Sequence, residues 1–226
     1  MDRIIQNLQR AIREAEQDEN NLKSNGDIIT SILRTIARQH FQQIKQLPVK
    51  QIFDFCDRLL ESGDWQERAV AFQWAFQAKK HYQAHDFERF ERWLDQYVDG
   101  WGSCDDFCTH TFGHLIYAFP EHIPNVKAWT PSENRWFRRG AAVVMIYGIR
   151  RGQEIEASFE IADQLLMDVD DLVQKGYGWM LKEISKSEPK QVFDFVMQRK
   201  ALMPRTSLRY AIEKLSPELR QQAMVK

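Results

Sequence analysis

Trp101 and Asp105 stand four residues apart, so on one helix both project from the same face. Lys175, Trp179, Lys182 and Lys186 share a face in the same way, at i, i+4, i+7 and i+11. Brought together, two indole rings and a carboxylate would stabilise developing positive charge. The carboxylate acts by direct attraction and the rings through their electron-rich faces. Cleavage of an N-glycosidic bond has this need, because its transition state spreads positive charge over the sugar as an oxocarbenium ion. Asp105 could also position an attacking water. Arg139, if paired with it, would keep the carboxylate ionised and oriented.

What would bring these residues together is a repeat. Arg68, Asp105, Arg139, Lys175 and Arg209 follow one another at intervals of 37, 34, 36 and 34 residues. Small residues follow the cations in ER-AVA, RR-GAAV and QK-GYGW, and Tyr210 breaks the pattern in LR-YAIE. A period in the mid-thirties to forties with two helices per unit marks an α-solenoid of HEAT-like type. In register, these positions would stack into a line on the concave face of a superhelix. A line of cations suits a polyanion, and the lone carboxylate in it calls for a reason. A blander reading makes Asp105 a helix-start acid offsetting the macrodipole, since Gly100 and Gly102 precede it.

The rest of the chain is compatible with one all-α domain over residues 1–226, residues 1–26 being an N-terminal helix and linker and 27–226 the repeats. QIFDFCDRLLE (51–61), ENRWFRRGAAVVMIYGI (133–149) and DLVQKGYGWMLKEI (171–184) carry helical periodicity, and alternating Val/Ile/Thr runs are missing. Proline and glycine punctuation separates helices of roughly 10–17 residues. Hydrophobic residues make up 43% and charged residues 28%, as in an ordinary folded domain. No apolar run approaches the roughly 18 residues of a membrane span, and the N-terminus has no signal-like apolar core. Three cysteines make no disulfide framework, so a reducing cytoplasm is expected.

The net charge of −1 hides an uneven distribution. Residues 172–226 hold eleven Lys and Arg against five Asp and Glu, whereas residues 1–171 hold twenty against twenty-seven. A basic C-terminal quarter can form a local phosphate-binding face, or simply a solvated helix surface.

Over residues 28–216 or so, the sequence resembles the AlkD-type DNA alkylation-repair family, built from HEAT-like repeats. The pieces that carry the likeness are ILRTIARQHFQQIKQL (32–47), LLESGDWQERAVAF (59–72), WGSCDDFCTH (101–110), SENRWFRRGAAV (132–143) and QKGYGWMLKEISKSEPKQVFDFV (174–196). The last matches the family pattern K-x-x-G-W-x-L-R/K-E-x-x-K-x-x-P. The resemblance implies a monofunctional DNA glycosylase that excises positively charged alkylpurines, of the 3-methyladenine and 7-methylguanine type, from duplex DNA. Asp105, Trp101, Trp179 and Arg139 would be its functional set. Arg138, Lys175, Lys182, Lys186 and Arg209 are expected along the DNA. A cationic base is already a good leaving group, so no strong general acid is required. The family mode engages backbone and sugar, which implies no deep base pocket. Gly102 and Gly140 depart from the family, as does the short polar N-terminal segment. Two other functions fit a HEAT-like chain: non-catalytic binding of bent or branched DNA, and a protein-binding scaffold.

No cofactor or metal is expected. Cys104, Cys108, His110 and His114 have ligand-like spacing, but on a continuous α-helix the two pairs would point about 120° apart. Cys56 is expected in the core, with Trp65, Trp74, Trp93 and Trp129 as core or interface. Asp168, Asp170 and Asp171 resemble a helix start. A solenoid with a solvated exterior is expected to be a monomer.

Overall fold

A computed structural model of the chain describes residues 2–225. Among the described residues the secondary structure is helical, with no strand and a single isolated bridge between Leu22 and Ile28. Two compact units divide the chain, one ending at Asp86 and the other beginning at Phe87.

The first unit contains α1 (Asp2–Glu16), α2 (Thr30–Phe41), α3 (Val49–Glu61) and α4 (Trp65–Gln77). Asp64 starts α4 by accepting hydrogen bonds from the backbone N–H groups of Gln66 and Glu67. The apolar stripe of α3 is buried as its spacing predicts, Cys56 included. Trp74 is fully buried and donates its indole N–H to the Ala37 carbonyl at 2.8 Å. Of the two places expected for Trp65, core or interface, the core is excluded, since the side chain is 38% exposed. Arg68 lies on α4 in this unit and is half-buried.

The second unit holds α5 (Asp86–Tyr97, all but its first residue), α6 (Trp101–Asp106), α7 (Gly113–Ala118), α8 (Ile123–Ala128), α9 (Arg135–Val143), α10 (Ile146–Ile149), α11 (Ile155–Gln164), α12 (Asp171–Ile184), α13 (Pro189–Arg199), α14 (Arg205–Ala211) and α15 (Pro217–Met224). Phe90, Trp93, Phe107 and Phe112 are fully buried and pack ring against ring, with Phe87 and Trp129 joining them. Trp129 saturates its indole N–H on Glu91 at 2.7 Å.

Within this unit α6, α9, α12 and α14 form a row in which each helix packs on the next. Behind the row, α11 packs on α9 and α12, and α13 on α12 and α14. Close approach between α12 and α14 depends on Gly178. A Cβ there would meet Tyr210 Cβ at 2.8 Å and the Ser207 carbonyl at 3.0 Å. Tyr177 completes the contact: its buried hydroxyl bonds to Ser207 Oγ at 2.6 Å and to the Leu166 carbonyl at 3.1 Å. Burial pushes that phenol up to about 12.

Two expected helices are altered. The 133–149 segment becomes α9 and α10, because Asn134 caps the start and the chain turns at Val144–Met145. There the Val144 carbonyl comes so close to α7 that a Cβ on Gly113 would sit 2.9 Å from it. The stretch after α6 is not a regular α-helix either, since Phe107–Phe112 form a π-helical turn.

Candidate active site

The row of helices places Trp101 and Asp105 on α6, Arg139 on α9, Lys175, Trp179 and Lys182 on α12, and Tyr210 on α14. All seven, with Leu172, line one cleft of about 340 Å³. Trp101 is 63% exposed, so one wall stands open to solvent.

At the floor is a forked ion pair. Arg139 donates from Nε to Asp105 Oδ1 at 2.9 Å and from Nη2 to Oδ2 at 2.8 Å. Its third donor, Nη1, bonds to the Leu172 carbonyl in the first turn of α12. Gly176 gives the arginine room, because a Cβ there would lie 3.2 Å from Arg139 Cγ. The guanidinium is buried and the carboxylate partly so, their side chains being 6% and 19% exposed. A carboxylate oxygen has two lone pairs, so the one Arg139 bond on each Asp105 oxygen leaves acceptor capacity in a residue that lines the cleft.

Burial pushes the Asp105 carboxyl above the ordinary aspartate value, and the Arg139 hydrogen bonds pull it back without cancelling the rise. Burial also disfavours the Arg139 cation, but Asp105 outweighs it and holds the guanidinium more firmly protonated. Arg139 thus fixes the orientation of the carboxylate and offsets only part of the desolvation. Asp105 lies in the second turn of its helix, so a role as a helix-start acid does not describe it.

Thr109 donates to the Asp105 carbonyl at 2.6 Å, and His110 Nδ1 lies 2.9 Å from the Asp106 carbonyl. The π turn therefore alters the geometry assumed for the cysteine and histidine pairs. Cys104 and Cys108 are both buried, and Cys104 Sγ approaches the Trp136 carbonyl at 3.9 Å. Burial and the neighbouring Cys104 push the Cys108 thiol well above its ordinary value. His114 Nδ1 instead faces the Tyr147 hydroxyl at 2.9 Å. Among the described residues no group of three or more His, Cys, Asp or Glu side chains is placed to hold a metal.

Three expected DNA-contact residues stand outside the cleft. Arg138 spends Nε on Asp168 at 2.7 Å and Nη1 on the carbonyls of Ser132 and Glu133, at 2.8 and 3.0 Å. Arg135 binds Asp170 at 2.6 Å, so both arginines fasten α9 to the start of α12. Asp170 is also the N-cap of α12, as the acidic cluster suggests. Lys186 follows the end of α12 at Ile184, is not in the cleft lining, and pairs with Glu183 at 2.6 Å. Arg209 is exposed on α14 in a neighbouring cavity, and the adjacent Tyr210 takes the cleft position. Within the cleft, Lys175 pairs with Asp171 at 2.5 Å and Lys182 with Glu213 at 3.1 Å.

Two residues complete the site without having been singled out. Tyr210 forms a third aromatic wall, and its departure from the small-residue pattern was the available signal. Glu183 is buried one turn beyond Trp179 and accepts its indole N–H at 3.1 Å. The same carboxylate binds Arg150 at 3.1 Å and Lys186 at 2.6 Å. Burial alone would raise Glu183, but Arg150 and Lys186, helped by Trp179, outweigh it and bring it down to about 2. Arg150 in turn stands over the Trp179 ring, 5.9 Å from its centroid.

The departures at Gly102 and Gly140 have different surroundings. A Cβ at Gly102 would meet nothing within 4 Å, whereas one at Gly140 would press on Leu94 at 3.2 Å. The glycine at 140 thus suits the tight contact of α9 with α5, and the one at 102 only removes a side chain from the exposed start of α6.

A family model described as DNA alkylation repair enzyme matches residues 19–215. A solved structure described as "Predicted DNA alkylation repair enzyme from Enterococcus faecalis" has a TM-score of 0.75 and 17% sequence identity. The likeness covers 92% of this chain and 95% of that one, and at this identity it is a likeness of fold. No curated protein matches the sequence.

Proposed function

The chain belongs to the DNA alkylation repair enzyme family, and we propose that it is a monofunctional DNA glycosylase acting on positively charged alkylpurines in duplex DNA. The carrying observation is the convergence in one open cleft of Asp105, clamped by Arg139, with Trp101 and Trp179. We take the row α6–α9–α12–α14, backed by α11 and α13, as the HEAT-like helix pairs that the mid-thirties period anticipates.

In this reading the strand lies across the cleft with the damaged nucleotide's sugar over Asp105. An alkyl group on N3 of adenine or N7 of guanine leaves the base cationic, so the C1′–N bond breaks with its electron pair going to the base. The base departs neutral, and positive charge develops on the sugar. Asp105 and the two indole faces stabilise that charge as it forms. A water hydrogen-bonded to an Asp105 oxygen then adds to C1′, and its excess proton passes to that carboxylate and on to solvent. The reaction calls for no metal, cofactor or strong general acid. An open cleft with an exposed tryptophan wall suits contact with sugar and backbone better than capture of an extruded base.

The test is release of 3-methyladenine or 7-methylguanine from methylated duplex DNA by the wild-type protein. Base release is expected. Salt-sensitive DNA binding without release would favour a non-catalytic reader of bent or branched DNA. No DNA affinity at physiological salt would favour a protein scaffold.

A further inference from the structure

Beyond the cleft, α14 and α15 build a second cationic feature. Arg205 and Arg209 stand four apart on α14 and project from one side, and Arg220 reaches them from α15. One cavity of about 500 Å³ is lined by Arg205, Thr206, Arg209, Tyr210, Glu213 and Arg220. A second, of about 360 Å³, shares Arg209 and Arg220 and is floored by Ile212, Pro217 and Met224.

The arginines here are unlike others in the same unit. Arg135, Arg138, Arg139, Arg150 and Arg199 each bind a carboxylate. Among the described residues, no carboxylate lies within ion-pair distance of Arg205, Arg209 or Arg220. The one acid lining the cavities, Glu213, is occupied by Lys182 at 3.1 Å and Lys214 at 3.3 Å. Three exposed guanidiniums therefore surround a recess without internal neutralisation. A recess lined by three cations that no carboxylate of their own neutralises attracts an anion.

Tyr210 gives the recess its direction, because it lines both this cavity and the candidate active-site cleft. A chain of phosphodiesters passing the cleft on its α14 side would meet the three arginines next. Guanidinium forks suit phosphate oxygens in geometry as well as charge. We propose that Arg205, Arg209 and Arg220 form a second phosphate-binding site, which grips the DNA backbone beyond the reactive sugar and sets where the strand lies in the cleft. The proposal rests on the reading that duplex DNA occupies the cleft, and it does not require base excision.

The test uses the full chain and an unmodified duplex of about 25 base pairs, with affinity followed by fluorescence anisotropy between 50 and 200 mM salt. For the Arg205→Ala/Arg209→Ala/Arg220→Ala variant, the slope of log affinity against log salt should shrink by about 2 to 3, close to 0.9 for each lost phosphate contact. The weakening should be equal on two duplexes of unrelated sequence, and the triple Lys variant should recover most of the slope. The three side chains are exposed, so an unchanged thermal melt is expected and confirms folding. An unchanged salt slope in a folded triple-Ala variant overturns the site, as does a wild-type protein with no duplex affinity. Base release is scored separately: DNA binding with the predicted slope but no released base supports this site and defeats the glycosylase reading alone.

Discussion

Replacing Glu183 by Gln separates the charge of this residue from its hydrogen bond to Trp179. The glutamine oxygen can still accept the indole N–H, but the attraction for Arg150 and Lys186 is lost. A fall from the ordinary 4.5 to about 2 corresponds to about 3.4 kcal/mol of linkage at neutral pH. The Arg150 and Lys186 side chains are 44% and 51% exposed, so solvent screening reduces the usable part to about 1–2 kcal/mol. Because folding depresses this pKa, the stabilisation is fully present above 4.5 and is lost as pH falls through about 2. Urea unfolding of wild type and Glu183→Gln should therefore differ by about 1–2 kcal/mol at pH 7, with less than half of that at pH 3. Base release should change little in Glu183→Gln and fall in Glu183→Ala, which frees the Trp179 ring as well. A stability difference that does not vary with pH, or none at pH 7, would refute the linkage.

Three other outcomes follow from the cleft. Gly178→Ala gains about 1 kcal/mol of helix propensity but forces a Cβ into the α12–α14 contact at a cost of about 1–3 kcal/mol; thermal unfolding should show a net loss. Trp101→Ala should leave stability within about 0.5 kcal/mol, since the ring is mostly solvated. Its base release should drop by about 3- to 30-fold, the equivalent of one aromatic contact to a cation. Arg139→Lys keeps a positive charge but loses the fork, leaving burial of Asp105 less opposed. Its carboxyl should rise further, and the acid limb of the base-release profile should move to higher pH; an unmoved limb would separate Asp105 from that titration.

Much of the site was legible because helical spacing is local. The i, i+4 relation of Trp101 and Asp105 survives in α6, and the 171–184 helix forms over its expected range. The 34-residue interval from Asp105 to Arg139 ends in a direct bidentate pair. What escaped was set by neighbours far along the chain. Arg138 is a cation beside a key arginine in sequence, but Asp168 and two backbone carbonyls claim it in space. Lys186 shares a face with Trp179 by spacing alone: α12 ends at Ile184, and beyond that end Lys186 pairs with the buried Glu183 carboxylate. At the end of the column the register slips by one residue, so Tyr210 enters the cleft and Arg209 faces the next cavity. The π turn after Asp106 likewise depends on packing, and periodicity alone gives no sign of it.

The central claim is that the Asp105 carboxylate stabilises the charged sugar. Its most direct test is single-turnover release of 7-methylguanine from duplex DNA by Asp105→Asn at saturating protein, with folding and DNA affinity checked in parallel. The variant is expected to remain folded, bind the duplex, and release base at least about 100-fold more slowly, the scale set by removing one electrostatic group from a transition state. Release at the wild-type rate by a folded, DNA-bound Asp105→Asn protein would contradict the account.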